Sequence, residues 1–183
     1  MFNIKKGNLF PTDFYCANIF DDKENEKYKN FLIDLSKRTS GKVRSNRGGW
    51  QSDTDLWNQE VFKSLLEKTT SITQSIIENI STNKPKQVIR SMWGNINPKG
   101  GGNFTHVHPS GWMSGVYYIQ LPKDNNVITF EDPRPARMMD FQRSCLVSDE
   151  YFSHHVEVGD LILFPSWLPH FVLPNTSDEN RIS

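Results

Sequence analysis

The stretch Gly159-Asp160-Leu161-Ile162-Leu163-Phe164-Pro165-Ser166-Trp167-Leu168-Pro169-His170 carries an unbroken apolar run, Leu161–Pro165, bounded by turn-forming residues and followed by a histidine. A short apolar run between such breakers reads as a strand. Four more runs of the same kind lie upstream or downstream of it: Gln87–Asn97, Ser114–Leu121, Val127–Glu131 and Phe171–Leu173. Between them fall Gly, Pro, Asn and Asp. Many short strands with closely spaced turns predict a sandwich or jelly roll rather than a βαβ fold. No internal repeat or low-complexity segment interrupts the pattern.

Before residue 86 the periodicity is helical. Residues 22–38 place Tyr28, Phe31, Leu32 and Leu35 on one side, with Asp22 as a plausible N-cap. Residues 55–80 repeat Val61, Leu65, Ile72, Ile76 and Ile80 near every fourth position. Both helices are expected to pack on a sheet. The loop Ser45-Asn46-Arg47-Gly48-Gly49-Trp50-Gln51-Ser52 separates them. Trp50 is there either an exposed contact residue or a cover for a core edge. The expected organisation is one domain over 1–183, with a helical lead-in of about 1–86 and a jelly-roll core of about 87–183. The fold class is mainly β with packing helices: a double-stranded β-helix, cupin-like.

Bulk properties set limits. A chain of 183 residues buries roughly 70% of its unfolded surface, so a core is feasible at 36% apolar content. Lys+Arg and Asp+Glu are equal, 21 each, which gives no field to recruit nucleic acid or an anionic membrane. The start, MFNIKKGNLF, lacks a signal-peptide core, and no apolar run approaches ~18 residues. The only cysteines, Cys16 and Cys145, form neither a disulfide framework nor a CxxC site and read as ordinary thiols. A reducing, cytoplasmic location is expected.

Thr105-His106-Val107-His108-Pro109 sets two histidines two positions apart. On an extended backbone, i and i+2 face the same way, so His106 and His108 can chelate one ion. An antiparallel jelly roll can bring His170 to the same interior. Imidazole suits Fe, Zn, Cu and Ni. Three ligands on one face leave positions open for a co-substrate and oxygen. His154 and His155 are adjacent, face opposite ways and read as non-ligands.

These motifs in order (His106-Val107-His108, Ser114-Gly115-Val116-Tyr117-Tyr118, Phe130-Glu131-Asp132-Pro133-Arg134-Pro135, Gly159 to His170, Pro174-Asn175 and Arg181-Ile182-Ser183) resemble the 2-oxoglutarate-Fe(II) oxygenases. The likeness is to the small bacterial and phage branch related to prolyl hydroxylases, and it covers about residues 45 to 183.

The resemblance implies Fe(II) as cofactor, 2-oxoglutarate and O2 as co-substrates, and hydroxylation of an unactivated C–H bond, with a peptidyl or prolyl substrate favoured by kinship. It implies His106, His108 and His170 as metal ligands. Arg181, eleven positions after His170, would pair with the far carboxylate of 2-oxoglutarate, helped by Tyr118, Asn97 and Ser183. The primary substrate, a peptide or small molecule, would meet Trp50, Trp112 or Trp167, with Phe104 also near the mouth.

Two departures stand out. His108 occupies a position where the family has Asp or Glu, so either three histidines bind the metal or Asp132 or Glu131 completes the set. Losing a carboxylate makes the centre about one charge more positive. The sequence also stops at Ser183, where relatives usually continue through another short strand. Two further readings stay open: a metal-binding jelly-roll module without oxygenase activity, and a three-histidine dioxygenase that does not use 2-oxoglutarate.

Overall fold

The computed structural model describes residues 4, 5, 7–123, 126–135 and 150–183; Cys145 lies outside them. In chain order the elements are β1 (Tyr15–Asn18), α1 (Asp22–Arg38), β2 (Asn46–Arg47), β3 (Trp50–Gln51), α2 (Lys63–Ile80), β4 (Asn95–Asn97), β5 (Gly102–His106), β6 (Met113–Tyr117), β7 (Val127–Glu131), β8 (Tyr151–His155), β9 (Asp160–Pro165), β10 (His170–Val172) and β11 (Arg181–Ile182). The mainly β architecture with two packing helices is the one expected.

The strands form ladders in the orders β1-β9-β6, β2-β5-β10-β7-β8 and β11-β4-β3. A bridge between Gln120 and Ile182 continues the chain after β6 onto β11. The first and third ladders are thereby stitched along one side, while the five-stranded ladder makes the other side.

β9 separates two cores. Its side chains alternate, as they must on a strand. Ile162 and Phe164 join Tyr118, Ile128, Phe130, Val156 and Leu168 in the interior core. Leu161 and Leu163 face the other way and join Tyr28, Leu32, Phe62, Leu65, Ile96, Tyr117 and Ile182 under the helices. A strand buried on both faces needs an unbroken apolar run, and Leu161–Phe164 is one.

Helix α1 spans the expected residues, but its N-cap is Asp21, whose carboxylate accepts from the Glu24 N–H at 2.9 Å. Tyr28 and Leu32 are its buried stripe. Leu32 presses on Gly94, where a Cβ would lie 2.4 Å from a Leu32 methyl. Helix α2 begins later than its periodicity suggests. Two 3-10 turns, Leu56–Asn58 and Glu60–Phe62, precede it, because Gln59 is extended (ψ 127°) and interrupts the helical ladder. At its C-terminal end Ile77 is buried and Ile80 is 58% exposed. No described helix is long and apolar enough to cross a membrane.

The lead-in is more than helical. It supplies β1 to one ladder, β2 to a second and β3 to the third. Within the run Gln87–Asn97 only Asn95–Asn97 is a strand, and Met92 makes a single bridge to Asp55.

Leu32→Ala should cost about 2–5 kcal/mol, because a fully buried side chain leaves a cavity over Gly94. Ile80→Ala should change stability by less than about 0.5 kcal/mol. Urea unfolding of the two variants checks the contrast.

Candidate metal centre

The centre begins with the pairing of β5 and β10. His106 stands directly opposite His170 in that ladder, and their ring centroids are 4.3 Å apart. His108 follows just after β5. Its backbone N–H donates to the Ser166 carbonyl at 2.9 Å, which keeps the chain extended beyond the strand end. One ligand nitrogen or more from each of His106, His108 and His170 falls in a group spanning no more than 4.8 Å. Among the described residues no carboxylate joins this group.

Two of the three rings are oriented by backbone carbonyls. His106 Nδ1 lies 2.7 Å from the Phe104 carbonyl, and His170 Nδ1 lies 3.0 Å from that of Leu168. A carbonyl only accepts, so each Nδ1 carries the proton and each Nε2 presents a lone pair. This is how metal-binding imidazoles are held in register. The third ring, His108, packs beside Trp93 at 5.3 Å between centroids.

Burial keeps all three neutral. Desolvation pushes His170 down to about 4, against the raising effect of its bond to Leu168. Desolvation, then the nearby His106, pushes His108 down to about 4. Desolvation also lowers His106. Neutral imidazole is the form that binds metal, so this environment suits an ion.

Neither Asp132 nor Glu131 joins the three-histidine group, although both border the same cavity as His106. Asp132 is gripped by Arg134, with nitrogens at 2.6 and 2.9 Å from its two oxygens. Glu131 belongs to β7 opposite Tyr151 and borders, with His106, Arg134 and Pro169, a cavity of about 520 Å³. His154 and His155 also stand apart. The His154 ring packs on Phe14 and Phe152.

A second polar group lies deeper. Arg181 of β11 pairs with Asn97 of β4, and both are buried. An Arg181 guanidinium nitrogen donates to the Leu173 carbonyl at 3.1 Å, and burial lowers its affinity for the proton while Tyr118 opposes that shift. Tyr118 and Tyr117 split across the strand. Tyr117 reaches Asn25 under the helices, and Tyr118 sits in the interior core. The Tyr118 Oη and Asn97 Oδ1 atoms are buried without a hydrogen-bond partner. An orphaned buried polar group costs roughly 1–3 kcal/mol. The Tyr118 hydroxyl, a donor near the buried guanidinium, fits a bound carboxylate, whereas Asn97 Oδ1 is an acceptor and calls for a donor. Ser183 lies next in line: its N–H and C=O exchange bonds with Asn95 at 3.1 and 2.7 Å.

The three tryptophans divide. Trp112 and Trp167 are about half exposed, and their loops touch where the Ser166 N–H donates to the Trp112 carbonyl at 3.2 Å, beside the segment that holds His108. Trp50 is elsewhere: it packs against the helix-side core and donates its indole N–H to Thr39 at 3.1 Å. Phe104 is exposed on the outer surface under the Arg47 guanidinium, 4.8 Å away.

Two polar residues around the centre carry no motif. Ser45 Oγ lies 3.4 Å from His106 Nε2, and Asn103 donates to the same oxygen at 3.2 Å. Strict alternation along β5 would send Asn103 and His106 to opposite faces. The β5–β10 register slips, with His170 opposite His106 and Val172 opposite Asn103, so a bulge turns both to one side. No sequence signal marks that bulge.

A family model described as "Putative 2OG-Fe(II) oxygenase" matches residues 91–183. No curated protein matches the sequence. Among solved structures, a Pseudomonas putida prolyl-4-hydroxylase is similar with a TM-score of 0.61 at 16% identity, over 93% of this chain and 89% of that one. HygX from Streptomyces hygroscopicus, solved with nickel and 2-oxoglutarate, gives 0.64 at 13%, over 93% and 80%. A Trichoplax adhaerens prolyl hydroxylase in complex with a hypoxia inducible factor peptide fragment gives 0.59 at 14%, over 92% and 80%. At such identities these likenesses concern the fold, and the fold they share is the double-stranded β-helix. The family match runs through the three clustered histidines and the buried arginine, and the chain belongs to the 2-oxoglutarate- and Fe(II)-dependent oxygenases.

Proposed function

We propose that this oxygenase hydroxylates an unactivated C–H bond, with His106, His108 and His170 holding Fe(II) and with Arg181, Tyr118, Asn97 and Ser183 receiving 2-oxoglutarate. The observation that carries the reading is a pair of matched sites in one interior. Three neutral imidazoles gather within 4.8 Å, and a buried guanidinium stands near the unpartnered Tyr118 hydroxyl, a donor suited to a carboxylate.

The residues fit both groups. When bound, Fe(II) and 2-oxoglutarate supply the oxidising chemistry, and the protein supplies position and electrostatics. Phe104 and Leu168 carbonyls hold the Nδ1 atoms of His106 and His170, so Nε2 is the nitrogen each would offer to the ion. Arg181 offers a planar fork to the far carboxylate, where a buried ion pair is strongest. Tyr118 keeps its proton, since burial raises its pKa far above the usual value, and so remains a donor to that carboxylate. The apolar walls, Phe130, Phe164 and Ile162, exclude water around the reacting centre.

The primary substrate is a peptide or a small organic molecule that enters at the mouth flanked by Trp112 and Trp167. A prolyl hydroxylase with a peptide fragment bound supports the first class. HygX with hygromycin B bound supports the second. Trp50, on the helix-side core, is the least supported of the three tryptophans as a substrate contact.

Anaerobic reconstitution with Fe(II) and 2-oxoglutarate, then exposure to air, should yield succinate, and Arg181→Met should abolish it at ordinary 2-oxoglutarate concentrations. Arg181→Met and Tyr118→Phe should each weaken 2-oxoglutarate binding, by roughly 10- to 100-fold for one charge-assisted hydrogen bond. A metal-binding module would be indifferent to both, and a three-histidine dioxygenase without 2-oxoglutarate would consume oxygen and make no succinate.

The centre also predicts a pH response. The folded histidines bind protons less readily than the unfolded chain does, so their contribution to stability is complete above their ordinary pKa near 6.5 and is lost as the pH falls toward about 4. The metal-free protein should therefore show a melting temperature that drops across that window. His108→Leu should flatten the drop. An acid profile identical in wild type and variant would count against a buried neutral cluster.

A further inference from the structure

Ser45 takes no part in the ligand set, yet its hydroxyl lies 3.4 Å from the His106 nitrogen assigned to the metal. Its position is built rather than incidental. The Phe104 N–H donates to the Ser45 carbonyl at 2.9 Å, pinning its backbone to β5. The neighbouring Asn46 is buried and knots the surrounding loop. Its amide donates to Lys42 and Gly49 carbonyls at 3.1 and 3.0 Å, and its carbonyl accepts from the Arg44 N–H at 2.7 Å. These bonds fix the Ser45 backbone, and the Asn103 amide holds its Oγ at 3.2 Å.

The direction of each hydrogen bond then follows by elimination. Asn97 donates its amide to Asn103 Oδ1 at 2.9 Å. Asn103 donates its own amide to Ser45 Oγ at 3.2 Å. Ser45 Oγ is thus an acceptor from that side, and its hydrogen is left to donate. The nitrogen it faces, His106 Nε2, is an acceptor because Nδ1 is committed to the Phe104 carbonyl. The chain Asn97 to Asn103 to Ser45 to His106 is therefore polarised in one sense. It runs from the Arg181 end of the interior to the metal end.

When His106 Nε2 gives its lone pair to a metal ion, it can no longer accept from Ser45. The hydroxyl hydrogen is freed while its oxygen stays fixed by Asn103. Resting on the assignment of His106 and of 2-oxoglutarate made above, we infer that Ser45 is a positioning residue for the co-substrate. Its hydroxyl donates to the anionic oxygen at the keto-acid end, and Asn103 and Asn97 keep that donor aimed. Placement beside a site with three neutral histidines favours this role, since no ligand carboxylate competes for the hydrogen.

The test separates the two ends of the co-substrate. Wild type, Ser45→Ala, Ser45→Thr and Arg181→Met are loaded with Fe(II) without oxygen. Each is titrated with 2-oxoglutarate and with 2-oxopentanoate, which keeps the keto-acid end and lacks the far carboxylate. Ser45→Ala should weaken both acids by a similar factor, on the order of ten-fold. Arg181→Met should weaken 2-oxoglutarate alone, and Ser45→Thr, which keeps the hydroxyl, should stay within about three-fold of wild type. The visible absorption band of the Fe(II)–2-oxo acid complex should shift in Ser45→Ala and not in Arg181→Met.

Affinity for Mn(II) alone, measured in parallel, should be nearly unchanged in Ser45→Ala. A loss confined to Mn(II) binding would reassign Ser45 to holding His106 and overturn the inference. So would unchanged 2-oxo acid affinity and an unshifted band in Ser45→Ala. If the alanine variant does not fold by circular dichroism, Ser45→Cys, a weak donor of similar size, carries the same comparison. Failure of wild type to bind 2-oxoglutarate would instead strike at the proposed function itself.

Discussion

The pairing of β5 with β10 is the constraint on which the rest depends. It sets His106 opposite His170, two residues far apart in sequence, and it does so inside a closed sandwich. The sandwich is held shut by side chains from β7 and β9 meeting across it, with the Phe130 and Phe164 rings 5.1 Å apart. The His170 ring lies 4.6 Å from Phe164, so the metal end of the site is a continuation of the hydrophobic core. That continuity explains the neutral imidazoles. An environment that excludes water penalises the charged form, and an ion that replaces the proton offsets the penalty.

Electrostatics divide the interior into two ends. At one end the histidines add no charge, so an Fe(II) centre built on them is about one charge more positive than one containing a carboxylate. At the other stands Arg181. In the proposed arrangement a dicarboxylic co-substrate would meet positive potential at both of its termini. Between the ends runs the polarised line of Asn97, Asn103 and Ser45. Each donor along that line points the same way, while Asn97 Oδ1 at its start has no partner.

The sequence made much of this legible and the reasons are specific. An unbroken apolar run between breakers located β9, and the same logic located β7 at Val127–Glu131. The i, i+2 spacing of His106 and His108 placed both on one face. Short elements escaped. β2, β3 and β11 are two residues long and carry no periodicity of their own; they exist because longer strands offer them edges. Gln59 ended the apparent continuity of the second helix through its backbone, which the apolar pattern does not record. The Arg134–Asp132 contact, two residues apart, was also invisible to the apolar pattern.

The most consequential hidden feature is the β5 bulge. With regular pleating Asn103 would face away from His106, and Ser45 would have nothing to fix its oxygen. Inserting one residue into the ladder costs local pairing, and the strand keeps its place because β2 and β10 grip it from either side. Close packing protects the same region further down the line. A Cβ on Gly49 would fall 2.1 Å from Asn97 Oδ1, so only glycine leaves that carboxamide its position. The result is an interior in which the Tyr118 hydroxyl has a hydrogen to donate and no partner to take it, while Asn97 Oδ1 lacks a donor. Those orphaned atoms subtract from the stability of the empty protein. For the same reason they favour any ligand that satisfies them.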